Sequence, residues 1–314
     1  MKRAFSVAGI AVLGVSVAYL VTIVQAGFTE LPEIDWTPSA LASIGVGIGL
    51  YVVATFVWSG GWAALLAAVG QPVNVVGAFS IIGTSQITKY LPGNIAHHIG
   101  RAAVAANFGL GSVGVVLSMA LEFFLMAAAA IACALLALGL TNSGAASDLM
   151  PLGNAALGAL IVGALAIPIG AMAAARKWGS RFLSRQAAEQ GTHAPDIARS
   201  SLNFLAHFVT FLLHGVILLF LARGVFDLSF SNYWLGVGSF GLAFVAGFLA
   251  PGIPAGLGVR EAVLVAGLSL EMGAGSALAV ATAHRIINIV GDGVVFGIAL
   301  YARRFIQPRS VPAP

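Results

Sequence analysis

Two short stretches of this sequence gather groups able to grip an anion. The first reads Lys89-Tyr90-Leu91-Pro92-Gly93-Asn94, followed by His97-His98 and Gly100-Arg101. Proline lacks a backbone donor and glycine permits φ > 0, so a helix breaks at Pro92-Gly93. The break leaves unbonded N–H groups at the start of the next half-helix, which favour an anion, and Lys89 and Arg101 add two cations. Asn94 serves as an N-cap or as a polar contact to the ligand. The second stretch runs from Ala250 through Pro251-Gly252-Ile253-Pro254-Ala255-Gly256-Leu257-Gly258-Val259 to Arg260-Glu261. Adjacent helical residues point about 100° apart, so Arg260 and Glu261 each reach toward another helix rather than toward each other. The candidate substrate-binding residues are therefore Lys89, Asn94, Arg101, Arg260 and Glu261, with Pro92, Gly93, Pro251 and Gly252 as the helix breaks.

Further polar groups stand inside apolar runs. Glu122 lies mid-way along Ser112–Leu140; His207 and His214 are seven residues apart, hence on one helix face, with Thr210 between them. Arg285, Asn288 and Asp292 follow an i, i+3, i+7 spacing and share a face. A charge in hydrocarbon costs at least a few kcal/mol, so each should point into the protein. Glu122, Arg285 and Asp292 are the candidates for coupling or ion pairing, and a Glu122–Arg285 bridge would satisfy two of them at once. The adjacent His97 and His98 should diverge on a helix and have no nearby acidic ligand, so no metal is expected. Cys133 is the single cysteine, which excludes an intrachain disulfide. HExxH, GxSxG, Walker and dinucleotide signatures are all absent from the sequence, so neither an enzyme nor a cofactor is expected. Without a nucleotide site, transport would run on a gradient.

The elements that must position these groups are membrane helices. Of the 314 residues 59% are hydrophobic and only 8% charged, with a mean hydropathy of +0.99; a soluble domain carries about 25% charged residues. So apolar a chain needs lipid around it. The net charge of +4 therefore marks cytoplasmic loops rather than nucleic-acid binding. Runs long enough to span are Phe5–Val24, Leu41–Val69, Ser112–Leu140, Leu152–Ala175, Leu202–Ala222 and Ala277–Tyr301. The first is too long for the apolar core of a signal peptide and reads as an uncleaved helix. Val73–Gly111 and Phe230–Gly275 are also apolar, but each is interrupted by one of the Pro-Gly pairs.

Lys2 and Arg3, the loop bases Arg176, Lys177, Arg181, Arg185 and Arg199, and the closing Arg303, Arg304 and Arg309 place both termini and the 176–201 loop in the cytoplasm. The loop 27–38 instead carries Glu30, Glu33 and Asp35. If each interrupted region enters and leaves by one side, the order span, broken hairpin, span occurs twice with opposite orientation, as in secondary transporters. Pro92 precedes Arg101 by nine residues, as Pro251 precedes Arg260, and Gly77 and Gly236 lie fifteen before their prolines. The expected fold is thus an all-α polytopic membrane bundle of residues 1–314. It has two inverted-topology repeats, about 41–140 and 202–303, each with a re-entrant Pro-Gly-interrupted hairpin.

These two motifs, Lys89-Tyr90-Leu91-Pro92-Gly93-Asn94 … Arg101 and Pro251-Gly252 … Gly256-Leu257-Gly258-Val259-Arg260-Glu261, resemble the flippase-like transmembrane domain of lysylphosphatidylglycerol synthases. The resemblance runs from about Leu41 to Arg303, although Ile253-Pro254-Ala255 replaces part of the family's Gly-rich string. It implies translocation of an anionic lipid across the cytoplasmic (inner) membrane, either a phospholipid or a polyprenyl-phosphate-linked sugar. With the chain closing at Pro314, the expectation is a stand-alone member without the synthase domain. The expected partners are a membrane lipid or lipid-linked sugar and, beyond that, other copies of the chain in a homo-oligomer. Two alternatives remain open at this point. One is a membrane glycosyltransferase with its base among Glu30, Glu33 and Asp35; the other is a proton-coupled small-solute transporter using Glu122, the histidines and Asp292.

Overall fold

The computed structural model describes residues 32, 34–90, 96–140, a few positions between 158 and 177, 188–250 and 256–305. The expected spans Phe5–Val24 and, in the main, Leu152–Ala175 lie outside the described residues, as do Glu30, Glu33, Pro92, Gly93, Asn94, Pro251 and Gly252.

Eight α-helices organise the described residues: α1 (Pro38–Ala68), α2 (Val75–Gln86), α3 (Ala96–Ala106), α4 (Ser112–Leu140), α5 (Ile197–Phe220), α6 (Tyr233–Leu249), α7 (Val259–Leu268) and α8 (Ala274–Ala302). A 3-10 turn, Ile87–Tyr90, extends α2, and a π turn, Leu221–Val225, extends α5. With that π turn counted in α5, α1, α4, α5 and α8 are each long and apolar enough to cross a membrane. Three of them begin a few residues before the apolar runs do, and polar residues outside the runs start two of these. Thr37 caps α1 by accepting from Ala40 N–H, with Pro38 at the first position, and Asp196 caps α5 by accepting from Arg199 N–H at 2.8 Å.

The order long helix, broken pair, long helix occurs twice, and the packing is reciprocal. The two leading helices α1 and α5 form the largest contact; α2 of the first half lies on α8 of the second, and α6 of the second lies on α4 of the first. Both broken pairs begin on an asparagine cap: Asn74 accepts from Gly77 N–H and Asn232 from Leu235 N–H. Each pair is also closed at its base. Gln71, at the entry to the first, accepts from Gly111 N–H at its exit. At the second, the Glu271 carboxylate at the exit accepts from Ser231 N–H, Ser231 O–H and Asn232 N–H at the entry. The first closure lies by the segment that enters α5, where Gln71 also donates to Gln190 O, and the second by the segment that leaves it, where Arg223 donates to Phe230 O; α5 itself, of 24 residues, is about 36 Å long at about 1.5 Å per residue. Where the second pair resumes, Gly256 and Gly258 have φ of +65° and +84°, and a Cβ on Gly256 would meet the backbone of Gly247 at 2.6 Å. Only glycine tolerates both demands.

The α1–α5 contact depends on small residues. A Cβ on Gly61 would strike Ala206 and come within 3.2 Å of Asn203 Cα, so the two backbones touch there, whereas Gly45 on the same helix has open space. Close approach of this kind drives helix association in lipid. Gly61→Leu is therefore expected to destabilise the fold by about 1–3 kcal/mol or more. Gly45→Leu should leave it unchanged. Thermal unfolding in detergent would show the contrast, and equal shifts would mean that the seam is not tightly packed.

Candidate functional site

A cavity of about 1310 Å³, mouth included, opens between the two halves. Lys89 and Tyr90 of the 3-10 turn, His97, His98 and Arg101 of α3, Glu122 of α4, His207 and His214 of α5, Arg260 of α7 and Arg285 of α8 all line it. Aromatic and sulfur-bearing side chains, among them Phe123, Phe211, Phe244, Phe248, Met119 and Met126, form the rest of the wall. Residues from both motifs thus meet in one space, although about 160 positions separate them in the chain.

Buried charge decides the internal arrangement. Glu122 and Arg101 are 5% and 4% exposed, and they make a two-pronged pair, with Nη1 donating to Oε2 at 2.6 Å and Nη2 to Oε1 at 3.3 Å. Trp58 adds an indole N–H to the same carboxylate at 2.6 Å, and His207 Nε2 stands 4.0 Å from it. The Arg101 guanidinium also lies 3.7 Å from the centre of the Trp62 ring. Such a planar fork over an indole suits arginine and no other cation. Glu122 therefore pairs with Arg101, not with Arg285 as the sequence suggested; the one-residue-per-100° geometry of α3 turns Arg101 onto α4 while α8 passes on the other side of the cavity.

Asp292, 1% exposed, is the second anchor. Lys89 Nζ lies 2.6 Å from Oδ2, Tyr90 O–H donates to Oδ2 at 2.5 Å and Tyr51 O–H to Oδ1 at 2.6 Å. The end of the first broken helix is thereby tied to α8 and α1. Arg285 Nη1 approaches Glu261 Oε1 at 3.4 Å, and Glu261 Oε2 accepts from Gly258 N–H at 2.7 Å. Glu261 thus caps its own helix, so the start of α7 offers an anion fewer open N–H groups than the sequence suggested.

Of the four cations lining the cavity, three have a carboxylate partner. Arg260 has no hydrogen-bond or ion-pair partner among the described residues; its guanidinium rests 4.8 Å from the Phe240 ring centre and 4.9 Å from that of Phe244. The group that looked like a cluster of ligand-binding bases is in this geometry two locked pairs and one available charge. His97 and His98 do not diverge: their ring centres are 3.9 Å apart, because side-chain rotation carries both toward the cavity.

Several participants escaped the sequence reading. Tyr51, Thr55, Trp58 and Trp62 recur at i, i+4, i+7 and i+11 along α1, a polar stripe hidden by the apolar residues around it. His284, one residue before Arg285, is 2% exposed, and its Nε2 shares a hydrogen bond with His214 Nδ1 at 3.0 Å. The stripe was visible as a period; the histidine pair spans 70 residues and was not.

The profile of one protein family, described as the lysylphosphatidylglycerol synthase TM region, matches residues 6–295. No curated protein matches the chain.

Removing one member of the Arg101–Glu122 pair leaves an uncompensated buried charge. Arg101→Met or Glu122→Leu alone is expected to cost about 3–5 kcal/mol, and the two together much less than their sum. Thermal unfolding of the three variants in detergent measures the coupling. Strict additivity would show that the two side chains stand independently.

Proposed function

The chain belongs to the lysylphosphatidylglycerol synthase transmembrane-region family, and from that membership we propose that it is a flippase for an anionic, phosphate-bearing lipid or polyprenyl-phosphate-linked sugar. The observation that carries this reading is Arg260: a cation with no carboxylate partner among the described residues, facing a cavity lined in part by aromatic side chains. A phosphate placed there gains charge-assisted hydrogen bonds from the guanidinium fork. The aromatic and methionine walls take apolar chain next to it, and the tails remain in the bilayer. Carboxylates hold the remaining cations, so the headgroup need not compete for them, and the protein acts by moving lipid rather than by chemistry.

In this reading the two halves are inverted-topology repeats, and the broken pairs are re-entrant hairpins entering from opposite faces. The reciprocal packing and the opposite positions of the two hairpin closures support it. Rocking one half against the other would move the Arg260 site from one leaflet to the other. Because Lys89 and Tyr90 bridge from the first hairpin to Asp292, that contact has to loosen in the process.

Reconstituted proteoliposomes test the cargo. Labelled phosphatidylglycerol and a polyprenyl-phosphate sugar should cross faster than phosphatidylcholine, and Arg260→Gln should slow the anionic lipids at least tenfold while the protein elutes and melts as wild type. Equal rates for all three lipids, or indifference to Arg260→Gln, would remove the headgroup site. Orientation is tested separately. With both termini in the cytoplasm of a cell whose inner membrane holds the protein, a cysteine at Asp35 should label from outside intact cells. One at Glu189 should label only after permeabilisation, and the reverse pattern would invert the topology.

A further inference from the structure

Behind the cavity wall lies a pair of histidines that the headgroup site does not use. His214 of α5 and His284 of α8 are 5% and 2% exposed, and only His214 reaches the cavity. Their shared hydrogen bond, His214 Nδ1 to His284 Nε2 at 3.0 Å, joins the first helix of the second half to the last helix of the same half. Phe240 is stacked on His214 at 4.0 Å and meets His284 edge-on at 4.9 Å; the same ring carries the Arg260 guanidinium at 4.8 Å. One aromatic side chain therefore touches both imidazoles and the available cation.

We propose that the His214–His284 pair is a proton-binding site, filled when an anionic headgroup docks at Arg260, so that lipid and proton travel together. The inference rests on the flippase reading for its cargo. Its physical basis is charge balance. The charged and titratable groups facing the pair are Tyr51 from α1, Lys89 from the 3-10 turn, Arg260 from α7 and Arg285 from α8, with the Asn288 amide of α8 3.4 Å from His284 Nδ1; α6 presents Phe240. Asp292 is paired with Lys89, and Arg285 with Glu261, which leaves Arg260 as the cation beside the pair that has no carboxylate partner among the described residues. An anion on Arg260 offsets the positive charge that a proton on the pair would face. By linkage, a proton on the pair favours the anion to the same degree.

The proton balance is simple. In the neutral pair one imidazole donates its N–H into the shared bond, and that donor ring keeps a lone pair on its other nitrogen. A hydronium ion gives up its proton there: one O–H bond breaks, one N–H bond forms, a neutral water is left, and the His–His hydrogen bond survives in either tautomer. A second proton would set two donors against each other, so the pair holds one.

The test uses the full chain in detergent with short-chain phosphatidylglycerol as the probe. Titration calorimetry in two buffers of different protonation enthalpy counts the protons taken up on binding. The expected result is uptake approaching one proton per bound anion in wild type. Affinity should also be about tenfold higher near pH 5.5 than near pH 8. His214→Gln and His284→Gln should each bind the probe without that uptake. His284 is outside the cavity lining, so its variant keeps the docking surface intact if the first one folds poorly. Binding without proton uptake in wild type, or undiminished uptake in both variants, would overturn the proposal, the latter by pointing to another group such as His97. A parallel flip assay separates the two readings: proton uptake with no lipid movement would refute the flippase and leave the proton site standing. Lipid movement without uptake would do the reverse.

Discussion

A charge inside this protein has no water to lean on, and that constraint arranges the rest. The membrane setting makes each unpaired ion cost several kcal/mol, so nearly every charged side chain around the cavity has found an opposite one. Glu122 collects Arg101 and the Trp58 indole; Asp292 collects Lys89 and two tyrosine hydroxyls. These contacts do more than neutralise. The first fastens the second arm of the broken hairpin to α4, and the second fastens its first arm to α8 and α1. The two buried carboxylates thus hold α2 and α3 in place.

Arg260 stands outside this accounting. Its desolvation is offset by two phenylalanine faces, whose electron-rich surfaces attract a guanidinium without quenching its donors. The contrast between the halves comes from this difference in partners. The first half spends its arginine on structure, and the second leaves the corresponding one facing the cavity. Two motifs alike in sequence thus perform different tasks, because what surrounds a residue decides whether its charge is available.

Much of the fold was readable from the chain, because helices long enough to span bilayers announce themselves as apolar runs. The ends of α1 and α5 were misjudged by three to five residues because Thr37 and Asp196, polar and outside the runs, start the helices. The site was partly readable. Lys89, Arg101, Glu122, Arg260 and Arg285 do line one cavity, yet their pairing was not deducible: which carboxylate meets which cation depends on helix rotation, and a sequence carries no rotation angle. His284 went unnoticed for a related reason. Beside Arg285 it looked like a neighbour of the interesting residue, and only the packing of α5 on α8 reveals its partner.

The end of the bundle where α5 begins bears on how such a chain is made. The stretch from Gln190 to Arg199 bonds back to earlier residues: Gln71 Nε2 donates to Gln190 O, Val113 N–H to Gln190 Oε1, Asp196 N–H to Ala68 O, and His193 N–H to Val69 O. The leading helix of the first half, α1, likewise makes its largest contact with α5. A ribosome delivers these partners between 77 and 128 residues apart. Until the later ones emerge, the earlier half sits in the bilayer with polar backbone ends and a small-residue face still uncovered. Biogenesis of this protein is consequently a matter of waiting: insertion can proceed helix by helix, but consolidation belongs to the whole polypeptide, and the first half is exposed to membrane quality control for the duration of that delay.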